Sequence, residues 1–154
     1  MAERFRVLIV GKPGTGWSGD AVADYAKRLA RMGGVVEESV KAETFRGDVD
    51  AVRAAEATRL LARVGPRDKL VALDERGEDP DTAAFTALVD EGRRDGTLVF
   101  AIGGPYGHGP ELRQRAWRTV RLSTLVLNHE IARVVLYEQL YRAMTILQGV
   151  PYHH

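Results

Sequence analysis

The amino-acid sequence predicts an α/β fold in which helices flank a mostly parallel sheet, and three observations support this prediction. Segments with a strand pattern alternate with segments of helical periodicity along the whole chain. The strand segments are nearly continuous apolar runs, as in parallel strands that are covered on both faces. The chain has 154 residues and contains no repeat or linker, so we expect one domain over residues 1–154.

Apolar segments bounded by turn residues predict the strands. We expect strands at 5–10, 35–40, 69–73 and 97–102. The segments 74–79 and 103–110, which follow the third and fourth of these strands, are rich in glycine and polar residues, and we expect them to be loops. A further segment, 120–127, is strand-like in composition but is interrupted by a Ser-Thr pair.

Helical periodicity and capping residues predict the helices between these strands. Apolar positions recur at helical spacing from Gly19 to Met32, and a second helix is expected from Asp48 to Val64. Pro80 is favoured in the first turn of a third helix, and a short helix is expected to extend through Trp117. The last helix is expected from about Asn128, a good N-cap residue, to Gly149.

The composition excludes several classes of protein and site. The absence of cysteine excludes disulfides, thiolate catalysis and Cys-ligated zinc. The longest apolar runs are far shorter than the roughly 20 residues that a membrane span needs. The segment from Met1 to Arg6 has no signal-peptide core. We therefore expect a cytoplasmic protein that has no membrane partner.

Charge is distributed unevenly along the chain. The net charge is +1, but residues 96–154 contain six arginines against three glutamates, together with all four histidines. This asymmetry favours an anionic partner for the C-terminal part of the chain. A solvated helical face that carries several arginines would give the same pattern, so charge alone leaves both interpretations open.

Four loops are expected to meet at one edge of the sheet. In open α/β sheets, ligands bind beyond the carboxyl ends of the strands. The loops at those ends lie at 11–19, 73–77, 103–109 and 123–128. The sequence therefore predicts a binding site where these loops come together.

The glycine-rich loop from Gly14 to Gly19 permits one alternative function. It matches G-x-G-x-x-G between a strand and a helix, and Glu37 and Glu38 follow at the spacing of a ribose-binding acid. An NAD(P)-binding oxidoreductase is therefore a possible reading of this motif. Against it, Lys12-Pro13 intervenes after the strand, and Trp17 places an indole where phosphate would have to approach.

Segments in the second half of the chain carry a denser signal. Residues 100–107 run from an apolar strand into a glycine-rich turn, where missing Cβ atoms let backbone amides approach a ligand. Residues 122–129 form an apolar segment that leads into a helix N-terminus. Residues 138–143 and 151–153 bring arginine, tyrosine and histidine to the end of the chain.

Together with Leu73-Asp74-x-x-Gly77, these segments contain motifs that occur in one known family. In this order and spacing the chain resembles the RlmH family, the ribosomal RNA large-subunit methyltransferases H of the SPOUT class. The resemblance extends over essentially the whole chain. The other matching motifs are Tyr25-x-x-Arg28, Ile102-Gly103-Gly104-Pro105-x-Gly107, Leu122-Ser123-x-Leu125-x-Leu127-x-His129, Arg133-Val134-x-Leu136-x-Glu138-Gln139-Leu140-Tyr141-Arg142-Ala143 and Pro151-Tyr152-His153.

This resemblance implies a function, a cofactor and an assembly. It implies methylation of N3 of a pseudouridine in 23S rRNA, within the assembled ribosome, with S-adenosylmethionine as the methyl donor. It also implies a homodimer and a C-terminal trefoil knot that forms the cofactor pocket. The knot rests on the resemblance alone.

The resemblance also implies which residues bind the cofactor. Val126 stands where threonine is common in the family, and Asn128 stands where proline is common. Binding through backbone groups would tolerate both differences, whereas a required threonine hydroxyl would be missing. The implied cofactor-binding residues are Leu73, Gly103, Ser123, Thr124, Leu125, Val126, Leu127 and Asn128.

Methyl transfer to N3 of pseudouridine requires that the imide proton leave. From their residue types and the family's terminal motif, Arg142, Tyr152 and His153 are the candidate catalytic residues. His153 is the candidate proton acceptor, Arg142 an electrostatic stabiliser, and Tyr152 a surface on which the base stacks. Arg142 also has a simpler interpretation, an ion pair with Glu138 four residues earlier.

A third interpretation of the chain is a non-catalytic module that binds RNA or the ribosome through its arginine-rich end. We expect no metal, because the adjacent His153 and His154 lack supporting carboxylates. Asp74 is expected to act as a loop or N-cap acceptor. His129, one residue past the predicted N-cap, is expected to pack or hydrogen-bond locally.

Overall fold

Five strands and five α-helices make up the computed structural model, which describes residues 4–154. The strands are β1 (Phe5–Val10), β2 (Val35–Val40), β3 (Lys69–Glu78), β4 (Leu98–Ile102) and β5 (Arg118–Val120). The helices are α1 (Trp17–Leu29), α2 (Val49–Leu61), α3 (Thr82–Gly92), α4 (Pro110–Arg115) and α5 (His129–Gln148), and a short 3₁₀ turn (Ala30–Met32) extends α1.

All the strand pairs in the sheet are parallel, and the strand order is β2-β1-β4-β3-β5. Phe5 of β1 lies opposite Val35 on one side and Leu98 on the other. The predicted α/β fold with a mostly parallel sheet is therefore confirmed. The trefoil knot implied by the resemblance stays a prediction.

Helices cover both faces of the sheet. On one face, α1, α3 and α5 pack over the side chains of Phe5, Phe100 and Ile102. On the other face, α2 and α4 pack over Leu8 and Val99. Because successive strand residues point to opposite faces, a strand covered on both sides must be apolar throughout. This is why β4 is buried along its whole length.

The predicted helix ends agree closely with the capping residues. The Asp48 side chain accepts hydrogen bonds from the backbone of Asp50 and Ala51 at the start of α2. Asn128 caps α5, and Gly149, in the left-handed region at φ 69°, ends it. The third helix begins later than expected, because Asp81 and not Pro80 supplies its cap.

The segment after Leu73 corrects one prediction. Residues 74–79 were expected to form a loop, but β3 continues to Glu78, which pairs with Val120 of β5 across a register irregularity. Gly77 makes this possible, since a Cβ atom there would lie 2.5 Å from the Val120 nitrogen. The missing side chain lets the edge strand approach, which composition alone did not indicate.

Two further predictions were wrong near the C-terminal half of the sheet. The short helix ends at Arg115, and the backbone nitrogen of Trp117 instead donates a 2.7 Å hydrogen bond to Leu70 of β3. The strand-like segment 120–127 leaves the sheet after Val120 and continues as an irregular loop to α5. Apolar composition in that loop does not mark burial, because Leu125 is 75% exposed.

The first residues of the chain bear on the predicted absence of a signal peptide. Met1 to Glu3 lie outside the described residues, so that prediction and the N-terminal limit of the predicted domain are partly untested. No helix within residues 4–154 is long and apolar enough to cross a membrane.

Candidate active site

A cavity of about 780 Å³ opens beyond the carboxyl end of β4 and beside the second half of β3. Its wall includes Ile102 at the end of β4, Leu73 opposite it in β3, the turn 103–107, the loop 121–128 and the first turn of α5. Three of the four segments predicted to meet therefore border one cavity, although residues 73–77 belong to a strand and not to a loop. The fourth, 11–19, contributes instead to a small pocket of about 20 Å³ beside it.

The glycine-rich turn forms one side of the cavity. The backbone nitrogen of Gly107 donates a 2.9 Å hydrogen bond to the Gly104 carbonyl, and Gly107 has a φ of 74°. A Cβ atom on Gly103 would lie 3.1 Å from the backbone carbon of Gly107. A side chain at position 103 would therefore push the Gly107 backbone outward by a few tenths of an ångström.

Buried polar groups contact this turn on the side that faces the protein interior. His108 is 3% exposed, and its Nε2 lies 2.9 Å from the Ala101 carbonyl oxygen, so that nitrogen carries the proton. Burial lowers the pKa of His108, against the opposing effects of the Ala101 carbonyl and the nearby Asp74 carboxylate. The imidazole is therefore neutral near pH 7 and acts as a fixed hydrogen-bond donor.

Asp74 is the other buried ionisable group at this side. Arg76 donates to both of its carboxylate oxygens at 3.0 and 3.1 Å, and also to the His108 carbonyl. Burial alone would raise the pKa of Asp74, but the hydrogen bonds from Arg76 outweigh it and hold that pKa below its usual range. Asp74 Oδ1 also accepts a 2.9 Å hydrogen bond from the Arg76 backbone nitrogen, so its predicted role as a local acceptor is confirmed. Through the Arg76 side chain it also anchors the turn.

The loop between β5 and α5 forms the opposite side of the cavity. Seven of the eight predicted cofactor-binding residues border the cavity, whereas Thr124 lies outside it. The Asn128 side chain caps α5, because its Oδ1 accepts a 2.8 Å hydrogen bond from the Glu130 backbone nitrogen. The predicted residues at the cavity are Leu73, Gly103, Ser123, Leu125, Val126, Leu127 and Asn128.

An aromatic pair lies beside the cavity, which Tyr106 borders. The rings of Phe45 and Tyr106 stack with centroids 5.4 Å apart, and both side chains are substantially exposed. Arg53 of α2 fixes Tyr106, since its Nε donates a 2.7 Å hydrogen bond to the Tyr106 carbonyl. Such exposed aromatic faces are suited to stacking on unpaired bases.

The three predicted catalytic residues form a second cluster at the other end of α5. Arg142 Nη1 lies 2.9 Å from His153 Nδ1, and the guanidinium lies over the Tyr152 ring at 4.8 Å. Glu138 joins them, because it accepts hydrogen bonds from Arg142 at 2.7 Å and from the Tyr152 hydroxyl at 2.9 Å. The simpler interpretation of Arg142 as a partner of Glu138 is thus confirmed, but it is not its only contact.

Hydrogen bonding sets the protonation of this cluster. The Glu138 carboxylate raises the pKa of Arg142. Burial, the Tyr25 hydroxyl and Glu138 raise the pKa of Tyr152, so its phenol stays protonated near pH 7. Since a guanidinium can only donate, Nδ1 of His153 is the acceptor of the bond from Arg142, and the neutral ring carries its proton on Nε2.

The cavity and the terminal cluster are separated along the last helix. His129 borders the cavity and Arg142 lies thirteen residues later on α5. At 1.5 Å per residue, this spacing is about 20 Å. None of the described residues at the cavity belongs to the terminal cluster. The chain therefore does not bring its own predicted catalytic residues to its own cavity.

The contacts of Glu37 and Glu38 argue against the oxidoreductase alternative. Glu37 is bound by Arg133 at 2.7 Å and by the Tyr137 hydroxyl at 2.9 Å. Glu38 is bound by Arg6 and Arg63, each at 2.9 Å. Neither carboxylate is available to a ribose, so the apparent dinucleotide motif is a structural turn.

Comparison with known proteins places this geometry in a family. A family model described as a predicted SPOUT methyltransferase matches residues 4–153. The ribosomal RNA large subunit methyltransferase H of Anaeromyxobacter sp. strain Fw109-5 is 46% identical, over 97% of this chain and 99% of that protein. The chain belongs to the SPOUT methyltransferase family. The protein of the same name from Trichlorobacter lovleyi is 39% identical, over 98% of this chain and 99% of that protein.

Solved structures show the same fold at lower identity. A probable methyltransferase from Bordetella pertussis Tohama I is similar with a TM-score of 0.58 and 18% identity, over 92% of this chain and 95% of that one. A probable methylase family protein from Haemophilus influenzae Rd KW20 is similar with a TM-score of 0.56 and 12% identity, over 96% of this chain and 67% of that one. The SPOUT methyltransferase fold is thus retained where little sequence identity remains.

Sequence reasoning missed several residues at this SPOUT site. Arg53, Arg76 and Tyr106 border the cavity, and His108 supports it from behind. Arg121 also borders the cavity, and the excess of arginine in the C-terminal segment was the available signal for it. The others carry no periodic pattern, because their positions depend on how α2 and the end of β3 pack against the glycine-rich turn.

Proposed function

We propose that this chain is an S-adenosylmethionine-dependent methyltransferase that methylates N3 of a pseudouridine in 23S rRNA. The observation that supports it best is a cavity bordered by residues of three motif segments, in a chain of the SPOUT methyltransferase family. Relatives of nearly equal length, up to 46% identical, carry the name ribosomal RNA large subunit methyltransferase H. The proposed substrate is the RNA within the assembled ribosome, and the proposed location is the cytoplasm.

The residues at the cavity fit this cofactor. The cavity volume of about 780 Å³ lies within the range of roughly 300–1,000 Å³ that is common for small-molecule sites. Apolar side chains of Leu73, Ile102 and Leu127 border it and suit a flat adenine ring. The absent side chain at Gly103 lets the Gly107 backbone pack closely against it, which shapes this side of the cavity. No group of three or more His, Asp or Glu side chains within residues 4–154 could hold a metal ion.

The terminal cluster fits the chemistry that N3 requires. When bound, S-adenosylmethionine supplies an electrophilic methyl group on a sulfonium. Arg142 stays a cation and stabilises the negative charge that develops on the imide as its proton leaves. His153 accepts that proton at Nδ1 once Arg142 turns from the imidazole to the base, because the two groups compete for the same lone pair. Tyr152 presents its ring to the base.

The separation of about 20 Å between cavity and cluster supports a homodimer in which each active site uses two subunits. The cavity of one subunit would face the terminal cluster of the other. Exposed apolar side chains at the cavity edge support such a contact: Leu125 is 75% exposed and Val126 is 79% exposed. Large exposed apolar side chains that lie together are typical of association surfaces.

Isotope transfer tests this function. Ribosomes from cells that lack the modification are incubated with the protein and methyl-labelled S-adenosylmethionine, and the labelled nucleoside is identified from digested 23S rRNA. We expect label at N3 of pseudouridine, and we expect much less on protein-free 23S rRNA. Arg142→Ala and His153→Ala should abolish transfer without weakening cofactor binding by calorimetry. A protein that binds ribosomes but transfers no label would instead be the non-catalytic module.

A further inference from the structure

Arg121 is a cation at the cavity that retains an unused hydrogen-bond donor. It borders the cavity just after β5. Its Nε is buried and has no hydrogen-bond partner within residues 4–154. A buried donor without a partner is unfavourable, so a turn of the guanidinium toward an acceptor in the cavity is favoured.

The other two arginines at the cavity have no such free Nε. Arg53 Nε donates to the Tyr106 carbonyl at 2.7 Å. Arg76 Nε donates to Asp74 at 3.0 Å. These two guanidinium groups hold the walls of the cavity together, whereas Arg121 has donor capacity left for a ligand.

Two contacts hold Arg121 in place, but they do not use all of its hydrogen-bond donors. Its backbone nitrogen donates a 2.8 Å hydrogen bond to the Glu78 carbonyl at the end of β3. Its Nη2 lies 3.2 Å from Asp79, whose side chain is 48% exposed. An ion pair this exposed is weak, so Asp79 orients the guanidinium but does not neutralise it fully.

The chemistry of the donor selects the part of the ligand that it binds. A planar guanidinium pairs with a carboxylate through two parallel N–H donors. In S-adenosylmethionine the sulfonium and the amino group are cationic and would be repelled. The ribose hydroxyls and the adenine nitrogens are neutral acceptors, so the carboxylate of the amino-acid end is the one group that pairs with a guanidinium through both charge and two parallel hydrogen bonds. We propose that Arg121 forms a carboxylate subsite of the cavity that binds this end of the cofactor. This inference rests on the proposed function.

Calorimetry with two matched ligands tests this subsite. S-adenosylmethionine and its decarboxylated analogue differ by the carboxylate, and each is titrated into the wild-type protein, Arg121→Met and Arg121→Lys. We expect the wild type to bind S-adenosylmethionine about tenfold or more tightly than the analogue, the range expected for a charged hydrogen bond. Arg121→Met should lose this preference, and Arg121→Lys should retain part of it. Arg115→Met, which lies outside the cavity, is the matched control and should behave as the wild type.

Each outcome of this experiment is decisive. Equal binding of the two ligands by the wild type would overturn the subsite, whether or not the variants fold. The same preference in Arg121→Met as in the wild type would also overturn it. If Arg121→Met binds both ligands normally but binds ribosomes less tightly, Arg121 contacts an RNA phosphate instead and the subsite is again overturned. A wild-type protein that binds neither ligand contradicts the proposed function itself, a result distinct from the other three.

Discussion

Arg133 of α5 and Glu37 of β2 form an ion pair with two hydrogen bonds, 2.7 and 2.8 Å long, between residues 96 positions apart. The Tyr137 hydroxyl donates a third bond to the same carboxylate, and Arg133 also reaches the Gly14 carbonyl at 3.4 Å. Arg133 is 7% exposed. This contact attaches the helix that borders the cavity to the first half of the chain.

Removal of one partner of this pair should destabilise the protein strongly. Arg133→Met would leave the Glu37 carboxylate partly buried without its cation, at a cost of about 3 kcal/mol. Urea denaturation measures the free energy of unfolding of each variant and of the wild type. Arg133→Met combined with Glu37→Gln should recover part of the loss, because no uncompensated charge then remains. Additive losses in the double variant would contradict a direct coupling of the two residues.

Stability should fall below neutral pH because of His108. Burial holds the pKa of His108 below the value of about 6.5 that it has in the unfolded chain. Below that pH the unfolded state takes up a proton that the folded state does not, so the unfolding free energy decreases by at most about 1.4 kcal/mol per pH unit. Above a pH of about 6.5 the imidazole is neutral in both states, so the contribution of His108 to the unfolding free energy no longer changes with pH.

His108→Gln isolates this effect. The glutamine amide can still donate to the Ala101 carbonyl but does not titrate. The unfolding free energies of both proteins are compared at about pH 7.5 and about pH 5.5, and the wild type should lose more on acidification. Parallel losses would show that His108 titrates normally. The remaining histidines are present in both proteins and cancel in the comparison.

Asn128 should tolerate proline better than alanine. Its side chain caps α5, and replacing such a cap by alanine costs about 1 kcal/mol. Its φ of −58° is close to the value that proline imposes. Asn128→Pro loses the cap, but proline also restricts the conformations of the unfolded chain. This restriction raises the free energy of unfolding by about 0.4–1 kcal/mol and offsets most of the loss. Thermal unfolding should therefore place Asn128→Pro near the wild type and Asn128→Ala below it, and the reverse order would contradict this explanation.

Gly103→Ala should weaken cofactor binding, because its Cβ would press on the Gly107 backbone at 3.1 Å and reshape one side of the cavity. We expect a loss of about tenfold or more in affinity for S-adenosylmethionine by calorimetry. Gly65→Ala is the matched control. The nearest atoms to its Cβ would belong to the flexible Asp68 side chain, at 3.2 Å, before β3 begins. If Gly103→Ala binds S-adenosylmethionine as tightly as the wild type, the glycine-rich turn does not contribute to cofactor binding.

Local patterns predicted what depends on neighbours in sequence. Apolar runs located β1, β2 and β4, and capping side chains located the starts of α2 and α5, because these signals act within a few residues. The extension of β3 was not predictable in this way. It depends on the approach of β5 to Gly77, a contact between segments about forty residues apart.

The candidate site was predicted in its motifs but not in its arrangement. Motif positions placed Leu73, Gly103 and most of loop 121–128 at one cavity, whereas Thr124 lies outside it. The terminal motif predicted Arg142 and His153 as a group, but no local pattern encodes their distance from the cavity. That distance follows from the length of α5 between the two clusters.

Subunit mixing on ribosomes tests most directly whether the cavity of one subunit and the terminal cluster of the other form one methyltransferase site. Gly103→Ala and Arg142→Ala proteins are unfolded together, refolded and assayed for transfer of labelled methyl to 23S rRNA, beside each variant refolded alone. A mixed dimer contains one site with both defects and one intact site. We therefore expect the mixture to recover up to about a quarter of wild-type activity for random pairing. A mixture no more active than its two components would contradict the shared site.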